Sequence, residues 1–425
     1  MPKFFIKTFG CQMNKRDSEK AYCIFEDAGF EYADAKDADV IVINSCAVRE
    51  KAENKLYSEI GRIRSKNKKA KIISMGCVAQ YNYERLKSVS DFVVCTNAID
   101  AFYDIVDNLN GQGVYIKDKM NNPNHIFPHK KSVSAFIDIM YGCNNFCTYC
   151  IVPYTRGREV SRKKEAIIEE IKGVVDNGAK EVVLLGQNVN SYADKNCTFV
   201  DLLYDINKID GLERIRFTTS HPKDFSYRLI EAMRDLNKVC EHIHLPLQSG
   251  SDRILKLMHR GYTVGEYLEK VSMFKESIKN ASITTDIMVG FPSETDEDFL
   301  DTVSVMNKLK YDTSFLFKYS KRPFTKAKDM EGQIDERLKL DRLNYIQELQ
   351  ANITKEKNLE DKGKNFEVLI EGISKKGNMF FGRTRQNKVV NLEISNKIDI
   401  GDIVEVKITE SLKHSLLGEV KWKEY

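Results

Sequence analysis

The chain has 425 residues, a length that favours two or three domains over one small module. Hydrophobic residues make up 42% and aromatic residues 10%, which is enough to build buried cores and excludes wholesale disorder. The 66 Lys and Arg against 62 Asp and Glu leave a net charge of +4, too small to indicate nucleic-acid binding by itself. No apolar run reaches the length of a membrane span and no signal-peptide pattern is present, so we expect a cytoplasmic protein without a membrane partner.

The first part of the chain alternates apolar runs with amphipathic stretches. Helices are expected at 15–28, 49–64 and 80–88, between strands at 4–9, 39–45, 71–75 and 91–95. Strand–helix alternation predicts a parallel α/β domain, which we assign to residues 1–118. The Asn- and Pro-containing stretch at about 108–131 predicts a linker or domain boundary.

A second alternating region covers residues 129–360. Its apolar runs lie at 133–139, 181–186, 214–219, 240–246, 283–289 and 314–319. Six βα repeats are too few for a closed eight-stranded barrel, so we predict an open, partial (β/α)6 barrel. A doubly wound sheet is the alternative, because counting repeats does not fix the order of the strands.

Residues 361–425 follow a charged helix at about 335–360 and have a different pattern. Five short alternating strands with Gly-containing turns predict a small antiparallel β-barrel. From residue 362 onward this segment has 12 Lys and Arg against 9 Asp and Glu, which is most of the positive excess of the chain.

Two groups of cysteines stand out among the ten in the chain, a number that in a cytosolic protein favours metal or redox chemistry. The central cysteine set is Cys143, Cys147 and Cys150, in GCNNFCTYC. Polar neighbours argue against three merely buried thiols. A structural zinc site is an alternative, but it needs four ligands and no fourth is near in sequence. Three thiolates on a [4Fe–4S] cube would leave one iron free to bind a small molecule.

The N-terminal cysteine set is Cys11, Cys46 and Cys77. Each follows a predicted parallel strand, and the carboxyl ends of parallel strands share one edge of the sheet, so the three thiols can converge. Coincidence is the alternative, because cysteine is often simply buried. That plainer interpretation holds for the other four, Cys23, Cys95, Cys197 and Cys240.

The C-x3-C-x2-C spacing, with Tyr149 before the last cysteine, resembles the radical S-adenosylmethionine enzymes. This resemblance implies a [4Fe–4S] cluster on the central set whose open iron binds S-adenosylmethionine, and cleavage of that cofactor to a 5′-deoxyadenosyl radical. The partial barrel is the usual scaffold of that superfamily. The resemblance therefore favours the barrel over the doubly wound sheet.

Together with the flanking domains, the whole chain resembles the methylthiotransferase family of these enzymes. The resemblance implies a second [4Fe–4S] cluster on the N-terminal set, which carries the sulfur to be donated, and a C-terminal RNA-binding TRAM domain. Arg49–Glu50 in NSCAVREKAENK and the run from Tyr154 to Glu159 look most like the branch that methylthiolates C2 of N6-isopentenyladenosine in tRNA. Ser45 is a small departure, since threonine is more usual beside this cysteine.

Other readings of the function remain. The in-family alternatives are the branches that act on threonylcarbamoyl adenosine in tRNA or on an aspartate of a ribosomal protein. The alternative from another class is a non-catalytic iron–sulfur protein that binds RNA. The methylthiotransferase reading implies the anticodon stem-loop of tRNA as a partner, with a reductant such as flavodoxin or ferredoxin and a sulfur donor.

Polar residues at the ends of the barrel strands are candidates for cofactor contact, because barrel enzymes bind ligands there. By resemblance, Arg260 is a candidate for the carboxylate of the cofactor, and Gly290 would let the backbone approach an adenine or ribose. The full set of cofactor candidates is Tyr149, Gln187, Ser220, Gln248, Arg260 and Gly290. His242 and His244 alternate on one strand face, which favours a polar face over a metal pair.

Basic residues near the loops of the C-terminal barrel are candidates for RNA contact. A second candidate is the basic segment at 318–328, where Tyr319 and Phe324 are interleaved with the charges. The predicted RNA-binding residues are Arg383, Arg385, Lys388, Lys413, Lys321 and Arg322.

Overall fold

The computed structural model describes residues 1–48, 50–375 and 377–421. The N-terminal strands are β1 (Lys3–Phe9), β2 (Glu31–Tyr32), β3 (Val40–Ser45), β4 (Lys71–Gly76), β5 (Phe92–Val94) and β6 (Gly113–Tyr115). The accompanying helices are α1 (Gln12–Asp27), α2 (Glu50–Lys66), α3 (Cys77–Tyr81), α4 (Tyr83–Lys87) and α5 (Ala101–Asp107). The strands form one parallel sheet in the order β2-β1-β3-β4-β5-β6.

Helices cover both faces of this sheet, which explains why its central strands are apolar and buried. All six residues of β3 are buried, as expected for a central parallel strand covered on both sides. Helices α1 and α5 pack on one face around Phe25 and Phe102, and α2 and α3 pack on the other around Leu56 and Val78. The predicted parallel α/β domain is confirmed, although β2 and β6 were not predicted.

Among the described residues, the central region has eight α-helices and ten strands. Six of these strands, β7, β10, β13, β14, β15 and β16, form its two parallel sheets and are its principal strands. Its strands are β7 (Ser134–Asp138), β8 (Met140–Tyr141), β9 (Val160–Ser161), β10 (Glu181–Leu185), β11 (Ala193–Asp194), β12 (Cys197–Thr198), β13 (Arg214–Phe217), β14 (His242–His244), β15 (Ser282–Val289) and β16 (Thr313–Lys318). Its helices are α6 (Val152–Thr155), α7 (Lys164–Asp176), α8 (Phe199–Asn207), α9 (Tyr227–Asp235), α10 (Asp252–Leu257), α11 (Val264–Ser277), α12 (Asp296–Leu309) and α13 (Glu336–Glu360).

The principal strands of this region run in chain order, which settles its topology. Parallel sheets β7-β10-β13 and β14-β15-β16 are joined by a parallel bridge between Ile215 and Val239. Across the described residues no strand pairing connects β7 with β16, so the barrel is open. The predicted partial (β/α)6 barrel is therefore confirmed, because a doubly wound sheet would place its strands out of chain order.

The C-terminal strands form a closed five-stranded barrel. They are β17 (Asn365–Ile373), β18 (Met379–Thr384), β19 (Val389–Glu393), β20 (Ile403–Ser411) and β21 (Leu416–Val420), in the order β17-β18-β19-β21-β20. The predicted barrel is confirmed with one difference, since β19 and β21 pair in parallel. In the parts of the chain described above, no helix combines the length and apolarity needed to cross a membrane.

The C-terminal barrel packs against the amino ends of the central strands. Arg214 and Arg216 lie near the start of β13, and their side chains are buried. The Arg216 guanidinium donates to the backbone carbonyl oxygens of Thr384 and Arg385, at 2.6 and 2.8 Å. The opposite, carboxyl ends of the central strands are thereby left free for ligands.

Charged side chains cross the buried interface between the N-terminal and central domains. The ammonium group of Lys20, on α1, lies 2.6 Å from a carboxylate oxygen of Asp138, on β7. Both side chains are buried, and the rings of Phe127 and Tyr141 lie within 5.4 Å of the ammonium group. A charge in such a place is tolerated only with its partner.

We expect Lys20→Met to lower the free energy of unfolding by about 3–5 kcal/mol, because it leaves the Asp138 carboxylate buried without a counter-charge. Urea denaturation of the iron-free chain measures this change. The control is Lys310→Met, which breaks an exposed ion pair with Glu356 and should leave the unfolding curve unchanged. Equal effects of the two substitutions would contradict a structural role for the buried pair.

Candidate active site between the two cysteine sets

The strand register brings the N-terminal cysteine set to one edge of the sheet. β1, β3 and β4 are neighbours, with Phe9 paired to Ser45 and Ser45 paired to Gly76. Cys46 and Cys77 directly follow β3 and β4, and Cys11 lies two residues after β1. The three cysteines therefore lie side by side at this edge of the sheet. Cys11 is accessible to solvent, whereas Cys46 and Cys77 are buried.

The thiols of this set differ in acidity. A hydrogen bond with Cys46 lowers the pKa of Cys11 to about 6, and the positive charge of Arg156 contributes in the same direction. The same hydrogen bond raises the pKa of Cys46, and burial raises that of Cys77. Cys11 is therefore a thiolate near neutral pH, which is the form that binds metal.

Glycines precede a cysteine in each set for a steric reason. Gly76 has a φ of +102°, and a Cβ there would lie 2.3 Å from Asn44 Oδ1. Gly142 has a φ of +69°, and a Cβ would lie 2.0 Å from the backbone oxygen of Arg158. Only glycine allows both the left-handed backbone and the close approach.

The central set lies on the loop that follows β8. Cys143 and Cys147 are buried and Cys150 is half-buried. The hydroxyl of Thr148 donates to the backbone oxygen of Leu257 at 2.9 Å, which ties the loop to α10. Burial raises the pKa of Cys150 to about 12 and raises that of Cys143, so metal binding here must displace protons.

Residues 151–157, which we call the linking segment, connect the two sets. They begin directly after Cys150 and pack against the N-terminal domain. The Thr155 backbone oxygen accepts from the Thr96 hydroxyl at 3.2 Å, and Arg156 Nη2 lies 2.7 Å from Asp17 Oδ2, with both side chains buried. The positive charge of Arg156 also lowers the pKa of Cys77, against the effect of burial. The two cysteine sets thus lie on either side of one short segment.

Arg260 lies against the central set. Its buried guanidinium donates to Cys147 Sγ at 3.3 Å and to the Tyr149 hydroxyl at 3.4 Å. A second nitrogen donates to the backbone oxygen of Pro246 at 3.2 Å. This arrangement places a fixed positive charge beside the thiols, where it could pair with a carboxylate of a ligand.

Several predicted cofactor residues have polar atoms without a partner. Gln187 Nε2 and Ser220 Oγ are buried, and within the described residues they make no hydrogen bond. Gln248 is buried and has a φ of +69°, an uncommon backbone for glutamine. Unsatisfied donors at the carboxyl ends of barrel strands fit a polar ligand such as S-adenosylmethionine.

The structure shows a packing reason for the glycine at position 290. Its φ is +71°, and a Cβ there would lie 2.3 Å from Cγ of Lys339. Its backbone N–H donates to the Glu294 carboxylate at 2.8 Å. Packing against α13 therefore accounts for the glycine, and a cofactor contact at this position stays a prediction.

His221 was not predicted as a site residue. Its Nε2 is buried without a hydrogen-bond partner in the described chain, and its ring meets that of Tyr262 edge-on. Burial lowers the pKa of His221 to about 2, with a further contribution from Arg260, so the imidazole is neutral. The only sequence signal was its place after β13.

Three of the predicted RNA-binding residues form ion pairs within the chain. Arg385 is bound to the carboxylate of Glu241 at 2.9 Å, and Arg383 lies 3.2 Å from a carboxylate oxygen of Glu371. Lys388 forms an ion pair with Asp361. These three side chains have carboxylate partners within the chain, and their contact with RNA stays a prediction. Lys413 and Lys321 are exposed, and Arg322 is buried.

The alternatives that involve a single metal ion find no support in the geometry. Within the described residues, no three His, Cys, Asp or Glu side chains are arranged to hold one metal ion. His242 and His244 share the Thr284 hydroxyl at 3.1 and 3.0 Å, which confirms the polar face.

Comparisons with known families agree with this arrangement. The radical SAM superfamily model matches residues 137–306, the TRAM domain matches residues 360–421, and an uncharacterized protein family, UPF0004, matches residues 3–96. The chain is thus an enzyme of the radical S-adenosylmethionine class, which uses a [4Fe–4S] cluster and S-adenosylmethionine.

Curated relatives define the family more closely. The tRNA-2-methylthio-N(6)-dimethylallyladenosine synthase of Thermodesulfovibrio yellowstonii is 45% identical over 98% of this chain and 98% of its own length. That of Syntrophus aciditrophicus is 47% identical over 99% of this chain and 95% of its own length. The chain belongs to the family of these synthases. Arg49, part of the motif that suggested this branch, lies outside the described residues.

Solved structures share the fold at low sequence identity. The radical S-adenosylmethionine methyltransferase TsrM of Kitasatospora setae matches with a TM-score of 0.58 and 13% identity, over 77% of this chain and 75% of that one. The cobalamin-dependent radical enzyme OxsB matches with a TM-score of 0.52 and 10% identity, over 82% of this chain and 56% of that one. These matches support the architecture alone.

We expect alkylation of Cys11 in the reduced, iron-free chain to rise as pH increases through about 6, because its lowered pKa makes it a thiolate above that value. Cys23, whose pKa burial raises to about 11, is the internal control. Mass spectrometry of iodoacetamide-labelled peptides measures both. Cys46→Ala, which removes the hydrogen-bond donor, should move the Cys11 midpoint to higher pH, and a Cys11 midpoint equal to that of Cys23 would contradict the assignment.

Proposed function

We propose that the chain replaces the C2 hydrogen of an N6-isopentenylated adenosine in tRNA with a methylthio group. The observation that carries this proposal is the placement of two three-cysteine sets on either side of the linking segment. Removing hydrogen and adding sulfur at one carbon needs two reagents close together. The names and full-length similarity of the curated relatives support the same reaction.

We assign the [4Fe–4S] cluster of the radical chemistry to Cys143, Cys147 and Cys150. When bound, the cluster and S-adenosylmethionine supply a 5′-deoxyadenosyl radical, which can remove a hydrogen that no side-chain base can. Arg260 is positioned to bind the carboxylate of the cofactor. Gln187 Nε2 and Ser220 Oγ are free to donate hydrogen bonds to its polar groups.

We assign a second [4Fe–4S] cluster to Cys11, Cys46 and Cys77, as the carrier of the sulfur. Three thiols at adjacent strand ends support this assignment, and one of them is ionised near neutral pH. Arg156 adds a buried positive charge beside Cys77, which favours anionic thiolates. The chemistry also requires a second S-adenosylmethionine to supply the methyl group, an electron donor such as flavodoxin or ferredoxin, and a donor that replaces the transferred sulfur.

We propose that the RNA surface includes Lys413 on the C-terminal barrel and Lys321 in the loop that follows β16. Both are exposed, unlike Arg383, Arg385 and Lys388. Phosphate contacts of this type position the RNA and carry no sequence information. The anticodon stem-loop is the expected partner.

Two other functions compete with this one. Methylthiolation of threonylcarbamoyl adenosine would use the same two clusters, so only the substrate distinguishes it. A non-catalytic iron–sulfur protein that binds RNA would leave S-adenosylmethionine intact, whereas an enzyme would release 5′-deoxyadenosine under reducing conditions. The buried donors at the ends of the barrel strands favour an enzyme that holds this cofactor.

We expect about eight irons per reconstituted chain, four for each cysteine set. Replacing Cys143, Cys147 and Cys150 with Ala should remove about half of the iron and leave one cluster visible by electron paramagnetic resonance. The matched variant replaces Cys11, Cys46 and Cys77 instead. Loss of all iron from either triple variant, or no loss from the N-terminal one, would refute two independent clusters.

The substrate is tested with two anticodon stem-loops that differ only in the N6 group of the target adenosine. With reductant and S-adenosylmethionine, the isopentenyl loop should gain methylthio, because each buried CH₂ contributes about 0.8 kcal/mol. The threonylcarbamoyl loop should react far less, since burying its carboxylate is costly. Nucleoside mass spectrometry measures both, and equal products would overturn the choice of substrate.

A further inference from the structure

Four aromatic side chains form an exposed cluster beside the two cysteine sets. The aromatic cluster consists of Tyr81, Phe146, Tyr154 and Phe324. Ring centroids lie 6.5 Å apart for Tyr81 and Phe324, 5.9 Å for Tyr154 and Phe324, and 6.3 Å for Phe146 and Tyr154. Phe324 is 58% exposed and Tyr154 is 41% exposed, whereas the Tyr81 ring is partly buried against the core of the N-terminal domain.

Each ring except that of Phe324 comes from a segment that contains or directly follows a cysteine of one of the two sets. Tyr81 lies one helical turn after Cys77 on α3, which places both on the same side of the helix. Phe146 lies between Cys143 and Cys147, and Tyr154 lies on the linking segment. The aromatic cluster therefore borders both sets of thiols.

Two of these rings are held by an unfavourable backbone. Phe146 has a φ of +46° and Phe324 has a φ of +65°. Asn or Gly would fit this left-handed region better than a bulky aromatic residue. Local folding does not explain why the chain keeps an exposed phenylalanine at both positions, whereas a need for the rings themselves would explain it.

Positive charge surrounds the aromatic cluster. The Arg158 guanidinium lies 4.1 Å from the ring centroid of Phe146. Arg322 is buried two residues before Phe324, and its Nε and Nη2 have no hydrogen-bond partner in the described chain. Flat apolar rings bordered by cationic groups match a nucleobase whose backbone carries phosphates.

We propose that the aromatic cluster binds the adenine ring and the N6-isopentenyl group of the target nucleoside. This inference rests on the proposed function and names the residues that select its substrate. Adenine stacks on the rings, and the five-carbon group covers apolar surface that is exposed without RNA.

An ion pair and the apolar rings explain why a threonylcarbamoyl group would fit poorly. Glu53 accepts from the Tyr81 hydroxyl at 2.5 Å and lies 3.5 Å from Arg322 Nη1, so this arginine already has a carboxylate partner. A substrate carboxylate at the aromatic cluster would lose water against the rings without gaining Arg322 as a partner. The surroundings thus favour an uncharged N6 group.

The key variant is Phe324→Asn, which removes the ring and suits the left-handed backbone. Affinities of the reconstituted enzyme are measured by fluorescence anisotropy for stem-loops with an isopentenylated or an unmodified target adenosine. We expect the preference of the wild-type chain for the isopentenylated loop to fall by about tenfold, which corresponds to about 1.4 kcal/mol. The melting temperature should stay the same or rise, because the variant relieves backbone strain.

Three further variants make the result specific. Tyr154→Ala should reduce the preference, and Tyr154→Phe should keep it, because the ring remains. Tyr345→Ala, at a tyrosine on α13 that is 53% exposed, is the matched control and should change nothing. Arg158→Gln, at an exposed arginine beside Phe146, should weaken both loops equally and make the salt dependence shallower, as expected for a phosphate contact.

The inference is wrong if Phe324→Asn and Tyr154→Ala both keep the wild-type preference, or weaken the two loops equally. It is also wrong if the wild-type chain has no preference in binding but still forms the methylthio product, since selection would then lie elsewhere. Failure of the wild-type chain to form that product from the isopentenylated loop would instead overturn the proposed function.

Discussion

The buried ion pair between Asp17 and Arg156 sets the arrangement of the whole site. It fastens the linking segment, and with it the central cysteine set, to helix α1 of the N-terminal domain. Lys20 with Asp138 and Arg16 with Glu170 cross the same interface, at 2.6 and 3.3 Å. An apolar interface of equal area would tolerate small shifts in register. Buried charges do not, because a shift that separates a pair leaves each ion without water or a partner.

This constraint also explains why the linking segment is short. The chain has only a few residues between Cys150 and Arg156 in which to cross from the barrel to the N-terminal sheet. Thr155 is anchored to Thr96 on the way. With both ends fixed, the position of the central thiols relative to Cys77 is determined by covalent geometry and one ion pair. Neither domain could hold this spacing alone.

Local pattern was sufficient to predict most of the fold. Continuous apolar runs such as Val40–Ser45 identify buried parallel strands, and cysteines at their ends mark the ligand-binding edge. Strand β6 was not predicted because Gly113–Tyr115 is short and has no buried residue. The order of the barrel strands was not readable from repeats and became certain only with the pairing of Ile215 and Val239.

The site was predicted less completely, for a different physical reason. An arginine looks the same in sequence whether it contacts phosphate or a carboxylate from a distant part of the chain. Arg385 lies 144 residues from its partner Glu241, and Asp17 lies 139 residues from Arg156. Such pairs are fixed by tertiary packing and leave no local signature. The positive φ angles of Phe146 and Phe324 could not be predicted from the sequence either, because phenylalanine rarely adopts a left-handed backbone.

The position of the C-terminal barrel has a consequence for the size of the substrate. It is attached at the amino ends of the central strands, whereas the cysteines lie near the carboxyl ends. Strand β15 has eight residues. At 3.3 Å per residue, such a strand is about 26 Å long. An RNA that touches both ends of the molecule must extend over that distance, which a mononucleotide cannot do and a folded stem-loop can. The distance between the C-terminal barrel and the cysteines therefore favours a modified base that is part of a large RNA over the same base free in solution.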